Sequence, residues 1–131
     1  MAGAWLVPRQ RTPSSEALLN NAHRHEFEAP HIFPVEVRNL LLSLERRGRL
    51  DAADTAQAIA NLAAYGVLVD APPDQAEYDT ILTLARGEIL TVYDALYLWQ
   101  AMRDGVDLAS QDSALLEAAT RNGVSVLDLR G

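Results

Sequence analysis

Apolar positions along this chain recur with helical spacing in several long segments, and short apolar runs separate some of these segments. An apolar residue at every third or fourth position predicts an amphipathic helix, whereas a short apolar run between turn residues predicts a buried strand. The predicted helices span residues 15–22, 34–47, 52–65, 74–86, 92–103 and 113–121, and the predicted strands span 27–30, 67–70, 108–110 and 124–129. Helices that alternate with short strands favour an α/β sandwich, in which helices flank a short parallel sheet.

The apolar positions also predict which face of a helix is buried. In helix 34–47 the predicted core positions are Val37, Leu40, Leu41 and Leu44. In helix 52–65 they are Ala56, Ile59, Ala60 and Ala63. Gly87 is predicted to break the helix that Asp74 opens, and strand 67–70 is predicted to be buried. Residues 2–6 are apolar and could form a further helical turn.

Composition limits the possible functions. The 131 residues predict a single domain over 1–131 that can form a hydrophobic core. The chain has no cysteine, which excludes disulfides and thiolate chemistry and suits the cytoplasm. No apolar run approaches the roughly 20 residues that cross a membrane. The net charge of −7 argues against broad, charge-driven binding of nucleic acid, although a metal-dependent nuclease needs an acidic site.

All 11 basic residues are arginine. One explanation is codon usage in a GC-rich genome, which the many alanines support. The other is recognition of phosphate groups, to which the planar guanidinium group is well suited. The sequence leaves both explanations open.

Three acidic residues, Glu36, Asp94 and Asp112, lie at the edges of apolar segments. A carboxylate in such a place is costly unless it meets a cation or hydrogen-bond donors. Acids that are far apart in sequence can form a site once the chain folds, and an all-oxygen cluster suits Mg²⁺. Each acid also has an ordinary interpretation, because Glu36 and Asp94 can complement a helix dipole and Asp112 can cap a helix.

The neighbours of these acids support several roles. Asn39 is three positions after Glu36 and shares its helix face, and Ser110 precedes Asp112 by two positions. Ser110 is either a ligand for phosphate or a structural hydroxyl.

Three aromatic residues lie close to Asp94 in the sequence, namely Tyr93, Tyr97 and Trp99. Aromatic side chains at helical spacing are predicted to belong to the core rather than to an RNA-stacking surface. The three histidines form no metal-binding motif, and no phosphate-binding loop is present.

Three segments around these acids resemble PIN-domain ribonucleases, in particular the VapC-type toxins of toxin–antitoxin pairs. They are P-x-E-x-x-N-x-L at 34–41, T-x-Y-D-A-x-Y-L at 91–98 and A-S-x-D at 109–112, and the resemblance extends from about Ala4 to Leu129. It implies a PIN-like three-layer sandwich and an Mg²⁺- or Mn²⁺-dependent endoribonuclease. It further implies that Glu36, Asp94 and Asp112 bind the metal while Asn39 and Ser110 support it. A cognate antitoxin, an RNA substrate and a homodimer are the implied partners.

The start of the chain departs from this pattern. In the family, an N-terminal strand in the middle of the sheet ends in a further metal-binding Asp, but residues 1–8 contain no such Asp. The first strand is therefore expected to be missing, with a smaller or rearranged sheet and a weak three-carboxylate metal site as the consequences. The ribonuclease activity then depends on whether that Asp is essential or is supplied upstream of an incorrectly assigned start. The alternative is a catalytically impaired PIN-fold protein that binds an antitoxin or an intact homologue.

Overall fold

The computed structural model describes residues 27–130, which form five helices and four short strands. In chain order the elements are β1 (Glu28–Ala29), α1 (Phe33–Arg46), α2 (Ala52–Tyr65), β2 (Leu68–Val69), α3 (Gln75–Glu88), α4 (Val92–Asp104), β3 (Leu108–Ser110), α5 (Ser113–Arg121) and β4 (Val126–Asp128). The predictions of a helix over residues 2–6, a helix over 15–22 and a missing first strand concern residues outside this part of the chain.

The strands pair in parallel. β1 pairs with β2, with Glu28 opposite Leu68, and β3 pairs with β4, with Ser110 opposite Asp128. The predicted α/β fold with short parallel strands is confirmed. Between residues 27 and 130, however, the strands form two separate pairs rather than one sheet. The sequence predicts a smaller or rearranged sheet as a consequence of a missing first strand. That cause concerns residues 1–7 and stays a prediction.

Helix α4 lies between two apolar clusters. Its residues Tyr97, Leu98 and Ala101 belong to the main core, which also contains the inner faces of α1 and α5 and the strand β3. Ala95 and Leu96 form a second cluster with Ile81 and Ala85 of α3. The helix that carries the predicted site residue Asp94 is therefore held from two sides.

The buried face of α1 is predicted correctly, whereas in α2 only Ile59 of the four predicted positions packs against the core. Val37, Leu41 and Leu44 are buried and Leu40 is partly buried. In α2 no residue is fully buried, and Ala56, Ala60 and Ala63 are exposed. The larger side chains orient this helix, because burying them removes more apolar surface from water than burying alanine does. The residues of α2 that pack against the core are Ala58, Ile59, Leu62 and Tyr65.

Two further local predictions are wrong. The predicted strand 67–70 is shorter and is not buried, since Leu68 is 64% and Val69 is 46% exposed. Helix α3 continues through Gly87 to Glu88. It ends instead at Ile89, which takes the left-handed conformation at φ 55°, and the Leu90 amide then donates to the Ala85 carbonyl at 2.9 Å. This closing bond stabilises the end of the helix without glycine at the left-handed position.

Side-chain caps fix where the other helices begin. The Asp51 and Asp54 carboxylates accept hydrogen bonds from each other's backbone amides at the start of α2. Asp74 and Glu77 make the same reciprocal contact at the start of α3. Such caps satisfy amide donors that have no partner within the helix. Among the described residues, no helix has the length and apolar character needed to cross a membrane.

Candidate active site

A buried tyrosine contacts the first of the predicted acids. Glu36 lies in the first turn of α1, and its Oε1 accepts a hydrogen bond of 2.6 Å from the hydroxyl of Tyr97 on α4. The tyrosine is only 7% exposed. Burial, then the hydrogen bond to Glu36, then the charges of Glu36 and Asp94 raise the pKa of Tyr97. The hydroxyl therefore stays protonated and acts as a fixed donor to Glu36.

Asp94 is half-buried in the first turn of α4. Its backbone amide donates to Thr91 Oγ1, the helix cap, at 3.1 Å. Burial raises the pKa of Asp94, and the negative charge of Asp112 raises it further. The two carboxylates are thus near enough to repel each other, and a cation between them would relieve that repulsion.

Asp112 and Ser110 lie together at the carboxyl end of β3. Asp112 caps α5 by accepting a hydrogen bond of 3.0 Å from the Leu115 amide through Oδ1. Ser110 is fully buried, and its Oγ accepts a hydrogen bond of 2.9 Å from the Asp112 amide. Both ordinary interpretations, a helix cap and a structural hydroxyl, describe these contacts. The cap uses only Oδ1 in these contacts, which leaves Oδ2 of Asp112 for another ligand.

Asn39, predicted to orient Glu36, is exposed on α1 and makes no hydrogen bond with Glu36 in the described structure. Tyr97 makes the contact that the resemblance assigns to Asn39. A role for Asn39 in substrate binding stays a prediction. The sequence does contain Tyr97 within the motif at 91–98, but its contact with a residue 61 positions away becomes visible only in the fold.

The three aromatic residues near Asp94 have different environments. Tyr97 is buried, as predicted for a core residue. Trp99 is partly buried, and the Arg103 guanidinium lies 4.7 Å from the centre of its ring. Tyr93 is 61% exposed, so its assignment to the core is wrong. Position along α4 explains the difference, because Tyr93 lies in the first turn of the helix, one turn before the buried Tyr97.

A hard divalent cation matches these residues in donor type and charge, but only in part in arrangement. The donors are carboxylate oxygens, and the repulsion between Asp94 and Asp112 favours a bound cation. Within residues 27–130, however, no group of three or more acidic or histidine side chains is arranged to hold a metal ion. The structure therefore shows two neighbouring carboxylates, Asp94 and Asp112. Glu36 accepts a hydrogen bond from Tyr97, which lies on the same helix as Asp94. The predicted three-carboxylate site stays a prediction.

Sequence comparison identifies the class of protein. The chain is 33% identical over 105 residues to the protein named Exonuclease VapC9 of Pyrobaculum aerophilum, and the match covers 79% of this chain and 74% of that protein. No protein-family model matches the chain. The α/β fold with short parallel strands is consistent with a PIN-like fold, and the match shows that the chain belongs to the VapC family of nucleases.

Proposed function

We propose that this protein is a metal-dependent ribonuclease toxin of a toxin–antitoxin pair. The observation that carries the proposal is the half-buried Asp94, which lies beside the charge of Asp112 at the start of α4. Asp94 is half-buried and Asp112 is exposed, and a cation bound near both carboxylates would relieve their repulsion. Membership of the VapC family supports a nuclease role for these two carboxylates, because the similar protein is named as an exonuclease.

The roles follow from the contacts. Asp94 and the free oxygen of Asp112 would hold Mg²⁺ or Mn²⁺, and Glu36, oriented by Tyr97, would bind the ion or its water. A bound ion of this kind acidifies water and stabilises the charge that develops on a phosphate. Ser110 fixes the backbone that presents Asp112, and Asn39 lies on the surface where it can contact RNA. No protein nucleophile is required.

RNA cleavage by the purified protein tests the proposal. We expect cleavage with Mg²⁺ or Mn²⁺ and none in EDTA. Asp94→Asn is expected to lower the cleavage rate by more than roughly 10- to 100-fold. That range is typical for changing a residue that only supports a metal ligand. The control is Asp107→Asn, an exposed acid between α4 and β3, which should cleave like the parent. Cleavage that persists in EDTA or in Asp94→Asn would overturn the metal mechanism.

The position of cleavage is a separate part of the proposal. We propose endonuclease cleavage, whereas the name of the similar protein gives exonuclease activity for that protein. Circular RNA has no ends, so only an endonuclease can open it. Conversion of circular RNA to a linear product is the expected result. Degradation of linear RNA alone, with circular RNA intact, would show exonuclease action.

A second candidate function is a non-catalytic protein on the same fold that pairs with an antitoxin or an intact homologue. The described residues favour it in one respect, because they do not arrange three acids around one metal position. Titration with Mn²⁺, followed by calorimetry, distinguishes the two functions. Binding that Asp94→Asn removes supports the nuclease, whereas no binding by the parent supports the second function.

We also propose a cytoplasmic location, an antitoxin partner and a homodimer. The absence of cysteine suits a reducing compartment. The exposed apolar side chains of β2, Leu68 and Val69, support a protein partner, because apolar surface that folding leaves exposed is a common feature of interfaces. Sedimentation of the protein alone and with its antitoxin tests both partners.

A further inference from the structure

Exposed apolar side chains adjoin the acids of the candidate site. Tyr93 directly precedes Asp94, Val92 is the first residue of α4, and Ile89 lies in the turn between α3 and α4. Val35, which is 69% exposed, directly precedes Glu36 on α1. We call the residues Val35, Ile89, Val92 and Tyr93 the apolar rim. It combines four exposed apolar side chains with two of the three predicted acids.

The folding of the described residues does not account for this rim. None of its members belongs to either apolar cluster. Ile89 is 91% exposed and holds a left-handed backbone conformation that is unfavourable for a β-branched residue. Tyr93 is 61% exposed, so it gains only part of the stability that a buried tyrosine contributes. An exposed aromatic residue beside a polar site is stronger evidence of a binding role than a single exposed aliphatic residue is.

The position of Tyr93 on α4 brings it close to the Glu36–Tyr97 pair. Tyr93 and Tyr97 are four residues apart, so they share one face of the helix, and side chains on a helix lean towards its N-terminus. Tyr97 reaches Glu36 on this face. Tyr93 therefore lies one turn further towards the open end of α4, next to Asp94.

We propose that Tyr93, with the rest of the apolar rim, binds an unpaired nucleobase of single-stranded RNA beside the phosphate at Asp94 and Asp112. The inference rests on the proposed ribonuclease function. Single-stranded RNA is recognised largely by stacking of its bases on aromatic side chains. At a net charge of −7 this chain gains little from general attraction to phosphates, so base stacking is the interaction left to supply affinity.

Fluorescence of 2-aminopurine tests the proposal, because stacking of this base on an aromatic ring quenches its emission. The probe is a short single-stranded RNA of mixed sequence with one 2-aminopurine, and the protein is the full chain with Asp94→Asn to prevent cleavage. Tyr93→Phe keeps an aromatic face, whereas Tyr93→Leu keeps apolar bulk only. We expect quenching by the parent, affinity within about twofold for Tyr93→Phe, and roughly 5- to 100-fold weaker binding for Tyr93→Leu.

Tyr78→Leu is the matched control. Tyr78 is an exposed tyrosine near the start of α3, at the far end of the α3–α4 hairpin from Asp94, and this variant should bind the RNA like the parent. Thermal unfolding of each variant shows whether the fold is retained. Tyr93 is 61% exposed, so both Tyr93 variants should unfold near the parent temperature.

The possible results separate this inference from the proposed function. If Tyr93→Leu binds RNA as the parent does, the stacking role is wrong. If Tyr93→Leu and Tyr93→Phe both bind normally while Tyr93→Asp breaks a homodimer, the rim is a protein interface, and the inference is overturned. If the parent quenches the probe in a Tyr93-dependent way but the wild-type chain cleaves no RNA, the base site stands and the nuclease proposal fails.

Discussion

The Tyr97 hydroxyl joins Glu36 on α1 to α4, the helix that carries Asp94. Tyr97→Phe removes this oxygen and keeps the buried ring. Glu36 then loses its donor and gains rotational freedom, so we expect metal affinity and kcat to fall by about 10- to 100-fold. Calorimetry with Mn²⁺ and RNA cleavage at saturating substrate measure the two effects.

Tyr78→Phe is the control for this change, because it removes a hydroxyl whose contact with His31 is a long 3.3 Å. A purely structural role for Tyr97 would lower the unfolding temperature without altering Mn²⁺ affinity. That result would contradict the positioning role. An unchanged KM with a reduced kcat would support it further, since the hydroxyl does not need to contact RNA.

Asp94 gives a prediction about pH. Burial and the charge of Asp112 raise its pKa above the ordinary value of 3.8. A carboxyl group with a raised pKa stabilises the fold below its unfolded pKa, and this stabilisation is lost as the pH rises through the folded pKa. The charged side chain therefore costs stability at neutral pH. Asp94→Asn should raise the Tm by a few degrees at pH 7 in metal-free buffer, and the gain should disappear near pH 3.8.

Asp107→Asn, which changes an exposed acid outside the site, is the control for this variant at pH 7. Added Mn²⁺ should reverse the order at pH 7, because the ion stabilises only the protein that binds it. An Asp94→Asn variant that is less stable than the parent at pH 7 without metal would show that the net environment favours the charged form.

Single residues were predictable from the sequence where local chemistry determines them. Asp112 is an N-cap because an apolar helix follows it, and the sequence indicates that directly. The bond between Tyr97 and Glu36 and the exposure of Tyr93 were not predictable. The bond depends on how α4 packs against α1, and the exposure of Tyr93 depends on how far the core extends along α4.

At the scale of elements, caps made the helix starts predictable. Helices α2 and α5 have the predicted bounds, because Asp51 and Asp112 accept amide hydrogen bonds at positions that the sequence marks. The orientation of α2 was not predictable, because its many alanines give nearly equal apolar character to two faces. The end of α3 was missed because Gly87 is tolerated within the helix at a cost of roughly 1 kcal/mol.

The end of α3 gives a prediction at this scale. Ile89 is exposed and has a left-handed backbone, a conformation that glycine adopts without steric cost. Ile89→Gly should therefore stabilise the fold by about 1 kcal/mol, measured by urea unfolding. Ile89→Val, which keeps the branched carbon, is the control and should change little. Destabilisation by the glycine would show that the isoleucine side chain makes a contact that its exposure conceals.

At the scale of the whole molecule, the sequence predicted the α/β class but not the division of the strands into two pairs. Strand order depends on contacts between segments that are distant in the chain, such as β1 with β2 across two helices. No local pattern encodes such pairings. The match to the VapC protein shows the family of the chain but does not give the order of its strands.

One arginine connects distant parts of the molecule. Arg103 at the end of α4 bonds Asp70, just after β2, at 2.6 Å and Asp104 at 2.7 Å. Hydrogen bonding to Arg103 lowers the pKa of Asp104, so this stabilisation is present above the ordinary value of 3.8 and is lost as the pH falls through the lowered pKa. Arg103→Gln should cost about 1 kcal/mol at pH 7 and less near pH 3.

Urea unfolding at the two pH values measures this difference. Arg86→Gln, an exposed arginine on α3, is the control and should be neutral at both. An equal loss for Arg103→Gln at both pH values would assign its effect to the stacking on Trp99 instead of the ion pairs.

Because α4 is packed on two sides and α2 has no fully buried residue, the two helices should differ in hydrogen exchange. The amide hydrogens of α2 can exchange through local opening, whereas those in the middle of α4 should exchange only through global unfolding. Tyr97, in the middle of α4, would then keep its place through every fluctuation smaller than global unfolding. The donor to Glu36 would persist for as long as the fold itself.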